Sequence, residues 1–222
     1  MHFKFYLTSL LLSFSLIVTG QVIINEYSAA NFSGTQDNFG DFEDWVELYN
    51  VGNASIDLSG YHLSDNINNP DKWVFPNGLS INGGDHMLIY CSDLDQVIGN
   101  SIHAGFKLTQ TKQEYIVLSD PNQNLVDAIQ IIEPNQTNHS TGRMTDGDSN
   151  WGIFDNPTPG SANTNAFTKY AETPVFSENA GFFDGAITVT ITPIAGADIH
   201  YTLDGSEPVS YTHLTLPTIL LV

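Results

Sequence analysis

The sequence predicts an all-β chain, a sandwich or a barrel, and three observations predict it. After the first twenty residues no stretch keeps apolar residues at i, i+3, i+4 and i+7, so sustained helical periodicity is missing. In its place stand short apolar or alternating runs: QVIINEY, DWVELYN, KWVF, HMLIYCS, EYIVLSD and LVDAIQII. Turn signals separate them, namely NNPD, FPNG, NGGD, DPNQN and DGDSN. Many short strands at this spacing suit a sandwich or barrel.

The opening MHFKFYLTSLLLSFSLIVTG is a segment apart. His2 and Lys4 precede an apolar run over residues 5–18, and the small residues Thr19 and Gly20 follow. This pattern predicts a secretory signal peptide, residues 1–20, cut near Gly20 and Gln21. The run is too short for a membrane span, and no later stretch is long enough, so no membrane span is expected. No Cys stands at the cleavage site for lipoprotein processing. The expected location is secreted or cell surface.

Residues 41–53, DFEDWVELYNVGN, contain the clearest strand. Trp45, Val46, Leu48 and Tyr49 favour pleated, half-buried positions. Alternation puts Val46 and Leu48 on one face and Trp45, Glu47 and Tyr49 on the other. An acid between two large aromatics is either a catalytic carboxylate in an aromatic cleft or a scaffold acid satisfied by N–H donors. Glu47 has no nucleophile or His close in sequence, so the scaffold reading is preferred for it and for Glu26 in INEY. Cys91 ends the run HMLIYC as the single cysteine; it is read as a small core hydrophobe, with no intramolecular disulfide.

The run DNPTPGSANTN, residues 155–165, is rich in Pro, Gly, Ser and Asn and suits a domain exit and linker. A second β unit follows. In AITVTI, Ile187, Val189 and Ile191 share a face, and DIHYTLDGS alternates likewise up to a turn at Asp204 and Gly205.

Charge excludes one class of function. The 222 residues carry 6 basic and 25 acidic side chains, a net −19; without Lys4 the remainder is 5 against 25, or −20. The basic residues are scattered, whereas a nucleic-acid binder needs a basic patch to displace counterions. No nucleic-acid partner is expected. Acidity serves solubility or loose cation binding instead.

The runs VIINEYSAAN, DWVELYNVGNASIDLSGYHLSD, KWVFPNGLSINGGDHMLIYCS, HAGFKLTQTKQEYIVLSDPNQNLVDAI and GRMTDGDSNWGIFDNPTPGSAN together resemble the lamin tail domain family. That family is an immunoglobulin-like β-sandwich found in nuclear lamins and in many secreted bacterial proteins. The resemblance implies such a domain over residues 21–164, with the acid after the Trp belonging to the strand framework. The segments TPVFSENAGFFDGAITVTI and IHYTLDGSEPVS resemble the small β-sandwich at the C-terminus of chitobiase and β-hexosaminidase-type proteins. This implies a linker at 165–172 and a second, small, incomplete β-sandwich unit at 173–222. After Val209 the family pattern stops, and SYTHLTLPTILLV is an apolar end that would invite association. The expectation is a fragment of a longer protein whose last dozen residues are not native.

Motifs for catalysis are missing from the sequence. The histidines His62, His86, His103, His139, His200 and His213 are far apart, with no H-E-x-x-H, no nucleophile elbow and no P-loop. Calcium is the one cofactor with candidate residues. Asp146, Asp148 and Asn150 are spaced like the first three ligands of an EF-hand loop, but Trp151 and Pro157 stand where that loop needs Gly and Glu. DNINNPD offers Asp65, Asn66, Asn68 and Asp71. Ordinary turns use the same residue types, and that reading is preferred at both loops. Trp45, Trp73, Trp151, Tyr61 and Phe75 could line a sugar platform, although strand aromatics are more often core.

The expected function is a non-catalytic exported accessory, adhesion or spacer module with no cofactor. Its partners would be a surface glycan or protein and a downstream domain of the same polypeptide, which the resemblance implies to be hydrolase or spore-coat-kinase-like. The alternatives are a calcium-dependent carbohydrate-binding module and a secreted hydrolase.

Overall fold

The structure is a computed structural model that describes residues 22–172, 174–192 and 199–202. The expected signal peptide, the turn at Asp204 and Gly205 and the terminal apolar run lie outside the described residues. The chain parts into two compact units between Lys169 and Tyr170.

The described residues of the first unit form thirteen strands. They are β1 (Val22–Ser28), β2 (Trp45–Asn50), β3 (Ile56–Asp57), β4 (His62–Ser64), β5 (Trp73–Val74), β6 (Ser80–Ile81), β7 (His86–Tyr90), β8 (Gln96–Ile98), β9 (Ser101–His103), β10 (Tyr115–Ser119), β11 (Leu125–Gln130), β12 (Ser140–Arg143) and β13 (Trp151–Phe154). A seven-stranded sheet has the order β13-β12-β1-β2-β7-β9-β8, and a four-stranded sheet the order β11-β10-β4-β5. Every pairing in them is antiparallel except β7 with β9. Strands β3 and β6 pair separately. This is an all-β, immunoglobulin-like sandwich.

The core lies between the sheets. Val46 and Leu48 of β2, Ile24 of β1 and Ile89 of β7 join Leu63, Ile116 and Leu118 of the smaller sheet in one apolar cluster. Cys91 is fully buried in it, and burial pushes its thiol well above the usual range. The alternation read from DWVELYN is therefore observed: Val46 and Leu48 enter the core, while Trp45 and Glu47 face away from it. That outer face is covered as well. Trp45 is buried at the floor of a hollow lined by Asn31, Gly34, Thr35, Asn156 and Pro157. The preferred reading of the strand aromatics as packing residues is observed for Trp73 and Phe75, whose rings meet 4.6 Å apart inside the core, and for Trp45, buried on the outer face.

In the second unit β14 (Val175–Phe176) pairs with β15 (Ile191–Thr192), extended by the Ser177 C-side bond from its N–H to Thr190 O at 2.9 Å. The strand expected over AITVTI is shorter than its alternation suggests. Ile187 and Val189 are each 45% exposed, so the alternating face has no apolar partner among the described residues to bury it. Among the described residues, no helix is long and apolar enough to cross a membrane.

Candidate functional site

The candidate site is a buried polar cluster on the outer face of the seven-stranded sheet, built around a bulge in β1. The β1–β2 register runs Ile24 opposite Leu48 and then Glu26 opposite Glu47, so Asn25 is the extra residue. The bulge exposes main-chain groups of Ile24 that side chains then satisfy. Its N–H donates to Asp127 Oδ2 at 2.9 Å, and its carbonyl accepts from Arg143 Nε at 2.8 Å. Arg143 also pairs with Asp127 at 2.8 Å and lies over the Trp151 ring at 5.2 Å. Gly142 makes room for the bulge: a Cβ there would stand 2.9 Å from the Asn25 carbonyl oxygen and from Glu26 Cγ.

The bulge brings Asn25 and Glu26 beside Glu47, all three fully buried. Their partners come from the loop after β13. Thr158, Pro159, Gly160 and Ser161 form a turn closed by the Ser161 N–H bond to Thr158 O at 2.9 Å, with Gly160 at φ 76°. Pro at the second position and a positive-φ Gly at the third fit a type II turn. This turn places donors over the two acids. Thr158 N–H and its hydroxyl donate to Glu26 Oε1 and Oε2 at 3.1 and 2.8 Å, while Gly160 N–H donates to Glu47 Oε2 at 2.5 Å. Ser140 Oγ donates to Glu26 Oε1, and Asn25 Nδ2 donates to Glu47 Oε1 at 3.2 Å. The run expected as a domain exit and linker is thus fastened to the sheet as far as Asn163. It is held there because its turn supplies donors that buried carboxyls require.

The electrostatics follow from this burial. Burial pushes the Glu47 carboxyl up to about 8 against the lowering effect of the Gly160 N–H and the Asn25 amide. Burial also raises Glu26, opposed by the Ser140 and Thr158 donors. Asp146 goes the other way. Its partial burial is outweighed by the Asn163 N–H at 3.0 Å, the Asn25 amide at 3.0 Å and the His86 ring, whose Nε2 is 3.3 Å away, so its carboxyl lies below the usual range. His86, Asp146, Asn25 and Glu47 therefore form a chain of contacts, Asp146 touching His86 and Asn25 and Asn25 touching Glu47, which their spacing in sequence did not reveal.

Of the residues singled out for calcium, the structure brings together Asp148 and Asn150. Asp148 Oδ1 accepts the Asn150 N–H at 3.0 Å and its amide at 3.1 Å, the local bonds of an Asx turn. Asp146 is turned away to Asn25 and Asn163. In the second loop Asp65 pairs with Lys72 at 2.6 Å, Asn66 Oδ1 accepts the Asn68 N–H at 2.9 Å, and Asp71 accepts from Gln123 at 3.2 Å. Among the described residues, no group of three or more His, Cys, Asp and Glu side chains is arranged to hold a metal ion. Sequence reading missed Asn25, Ser140, Thr158 and Asn163; the legible signal was the P-G turn, without its targets.

The Lamin Tail Domain family profile matches residues 17–133, just over half of the chain. No curated protein matches the chain significantly. The matched span contains Asn25, Glu26, Glu47 and His86, while the turn that binds the two glutamates lies beyond it. The two-sheet fold and the match over β1 to β11 agree, and the chain belongs to the lamin tail domain family.

Proposed function

We propose that this chain is a non-catalytic, exported accessory module that serves adhesion or spacing at a cell surface. The observation that carries the reading is the use made of Glu26 and Glu47: each carboxyl, fully buried, is engaged by scaffold donors from the turn at Thr158 to Gly160. A catalytic acid or base has to reach a substrate proton; these two are covered by the chain itself. The apolar run over residues 5–18 supports export. The second unit is read as a chitobiase C-terminal-type β-sandwich on the strength of TPVFSENAGFFDGAITVTI. The partner is a surface glycan or protein. Duplex nucleic acid is an unfit partner for a chain of net charge −19, because binding it would add repulsion instead of releasing counterions.

Two assays test the reading together. A panel of glycoside, ester and phosphoester substrates should show no turnover. A glycan array run with calcium and again with EDTA should give the same pattern. Turnover that Glu47→Gln abolishes would replace the reading with a hydrolase; glycan binding that EDTA removes would replace it with a calcium-dependent carbohydrate-binding module.

A further inference from the structure

Strand β7 is paired along its full length on one side alone. Toward β2 it is in register from Tyr90, opposite Trp45, to His86, opposite Tyr49. Toward β9 the parallel pairing covers Ile89 and Tyr90, opposite Ile102 and His103. Main-chain groups in a strand point alternately to either side. The Asn50 N–H bond to Asp85 O at 3.1 Å sets the phase: Asp85, Met87 and Ile89 serve β2, and His86, Leu88 and Tyr90 point away from it. Tyr90 finds its partner, since its carbonyl accepts the Ala104 N–H at 2.8 Å. Continued at the same register, β9 would set Ser101 beside Leu88 and Gly99 beside His86. The chain reverses there instead. Ile98 pairs with Ser101 across the turn Gly99–Asn100, with Gly99 at φ 59°. The hairpin therefore ends before it reaches His86.

What remains beside His86, Met87 and Leu88 is a cavity of about 340 Å³. Ser80, Ile81 and Asn82 line it as well, and so do Gly99 to Ser101. Leu79, Ile81 and Met87 give it apolar walls; Asp85 is its acid, and no Lys or Arg lines it. We propose that this slot takes an extended segment of a partner protein, added as a strand along β7, with a Lys or Arg of the segment set against Asp85. The groups of β7 left beyond β9 are the His86 N–H and C=O and the Leu88 N–H, at strand spacing, which an extended peptide matches group for group. Main-chain bonds supply affinity in strand addition, and pockets for alternate side chains supply specificity. The net charge of −19 favours a basic segment over an acidic one. The inference rests on the edge of β7 and stands apart from the adhesion and spacer reading.

The test is to pan the full chain against a phage-displayed library of random nonapeptides. Enriched peptides should alternate apolar residues with Lys or Arg, and they should shift the amide resonances of His86 and Leu88. Asp85→Lys should weaken them by about tenfold, and Ser101→Trp should block the slot. Methylating alternate backbone nitrogens of a selected peptide should abolish binding, which keeps the test intact if Ser101→Trp fails to fold. The proposal is overturned by no enrichment, by resonance shifts confined to other residues, or by full affinity of the methylated peptide.

Discussion

Glu26 and Glu47 stand directly opposite each other across β1 and β2, and both receive donors from one turn, at Thr158 and Gly160. Two buried carboxyls side by side repel when ionised. The pair is tolerable because Glu47, pushed up to about 8, keeps its proton at neutral pH.

This pair gives the fold a direction of pH dependence. The ordinary value for Glu47 is 4.5 and its folded value about 8. Stability from the protonated form is complete below about pH 4.5 and is lost as pH rises through about 8, up to a bound of about 5 kcal/mol. Thermal melts at pH 5 to 9 should therefore show a falling melting temperature. Glu47→Gln should flatten that profile and leave the smaller slopes of Glu26 and Asp44, whose carboxyls burial also raises. A wild-type profile that rises over this range would contradict the burial of the pair.

Two glycines of the site should differ in cost. Gly160→Ala meets open space but must hold φ 76°, which costs about 1–2 kcal/mol. Gly142→Ala drives a methyl against the Asn25 carbonyl and the Glu26 side chain and should be the more damaging. Urea unfolding of both variants checks the order.

Trp45→Ala should destabilise the first unit by about 3–5 kcal/mol, since the indole is buried although it lies outside the main core. Val46→Asp should do at least as much damage by placing an unpaired charge between the sheets. Unfolding followed by tryptophan fluorescence would reveal an unshifted midpoint if the strand were misassigned.

Asp146 and Asp148 separate a structural acid from a turn acid. Asp146→Ala strands the Asn163 N–H and leaves the Asn25 amide with Glu47 as its acceptor, a cost of about 1–3 kcal/mol. Asp148→Ala removes local bonds at an exposed turn and should cost about 1 kcal/mol or less. Calcium, added and then chelated during calorimetry, should leave the wild-type transition in place.

How much of this was legible depends on distance along the chain. The faces of DWVELYN and the core place of Cys91 follow from alternation and neighbouring residues, and both are observed. The partners of Glu26 lie 114 and 132 residues away, at Ser140 and Thr158, where no local pattern points back to them. Composition identified 155–165 as turn-forming. It could not show that Gly160 N–H is the donor a buried acid 113 residues earlier requires. The bulge at Asn25 was invisible as well, because VIINEY carries no Gly or Pro to mark it.

The linker expected at 165–172 invites the first cleavage, and the fastening narrows where it falls. With Asn163 bonded to Arg143 O at 2.6 Å and Phe167 paired with Ile153, the exposed Lys169 at the end of the first unit becomes the natural tryptic site. Brief trypsin treatment with intact-mass analysis should yield a resistant fragment ending at Lys169. Early loss of residues 155–163 would show that the turn is not held.

The distance between the glutamates and their turn has a consequence in time. A ribosome releases Glu26 and Glu47 more than a hundred residues before Thr158 and Gly160. Until then, no main-chain donor of that turn exists to cover the nascent sheet's two acids, and they stay hydrated. Closing so long a loop comes late in folding. The outer face is therefore sealed last, once the chain has grown past the turn, and the nascent domain reaches its full resistance to unfolding at that moment.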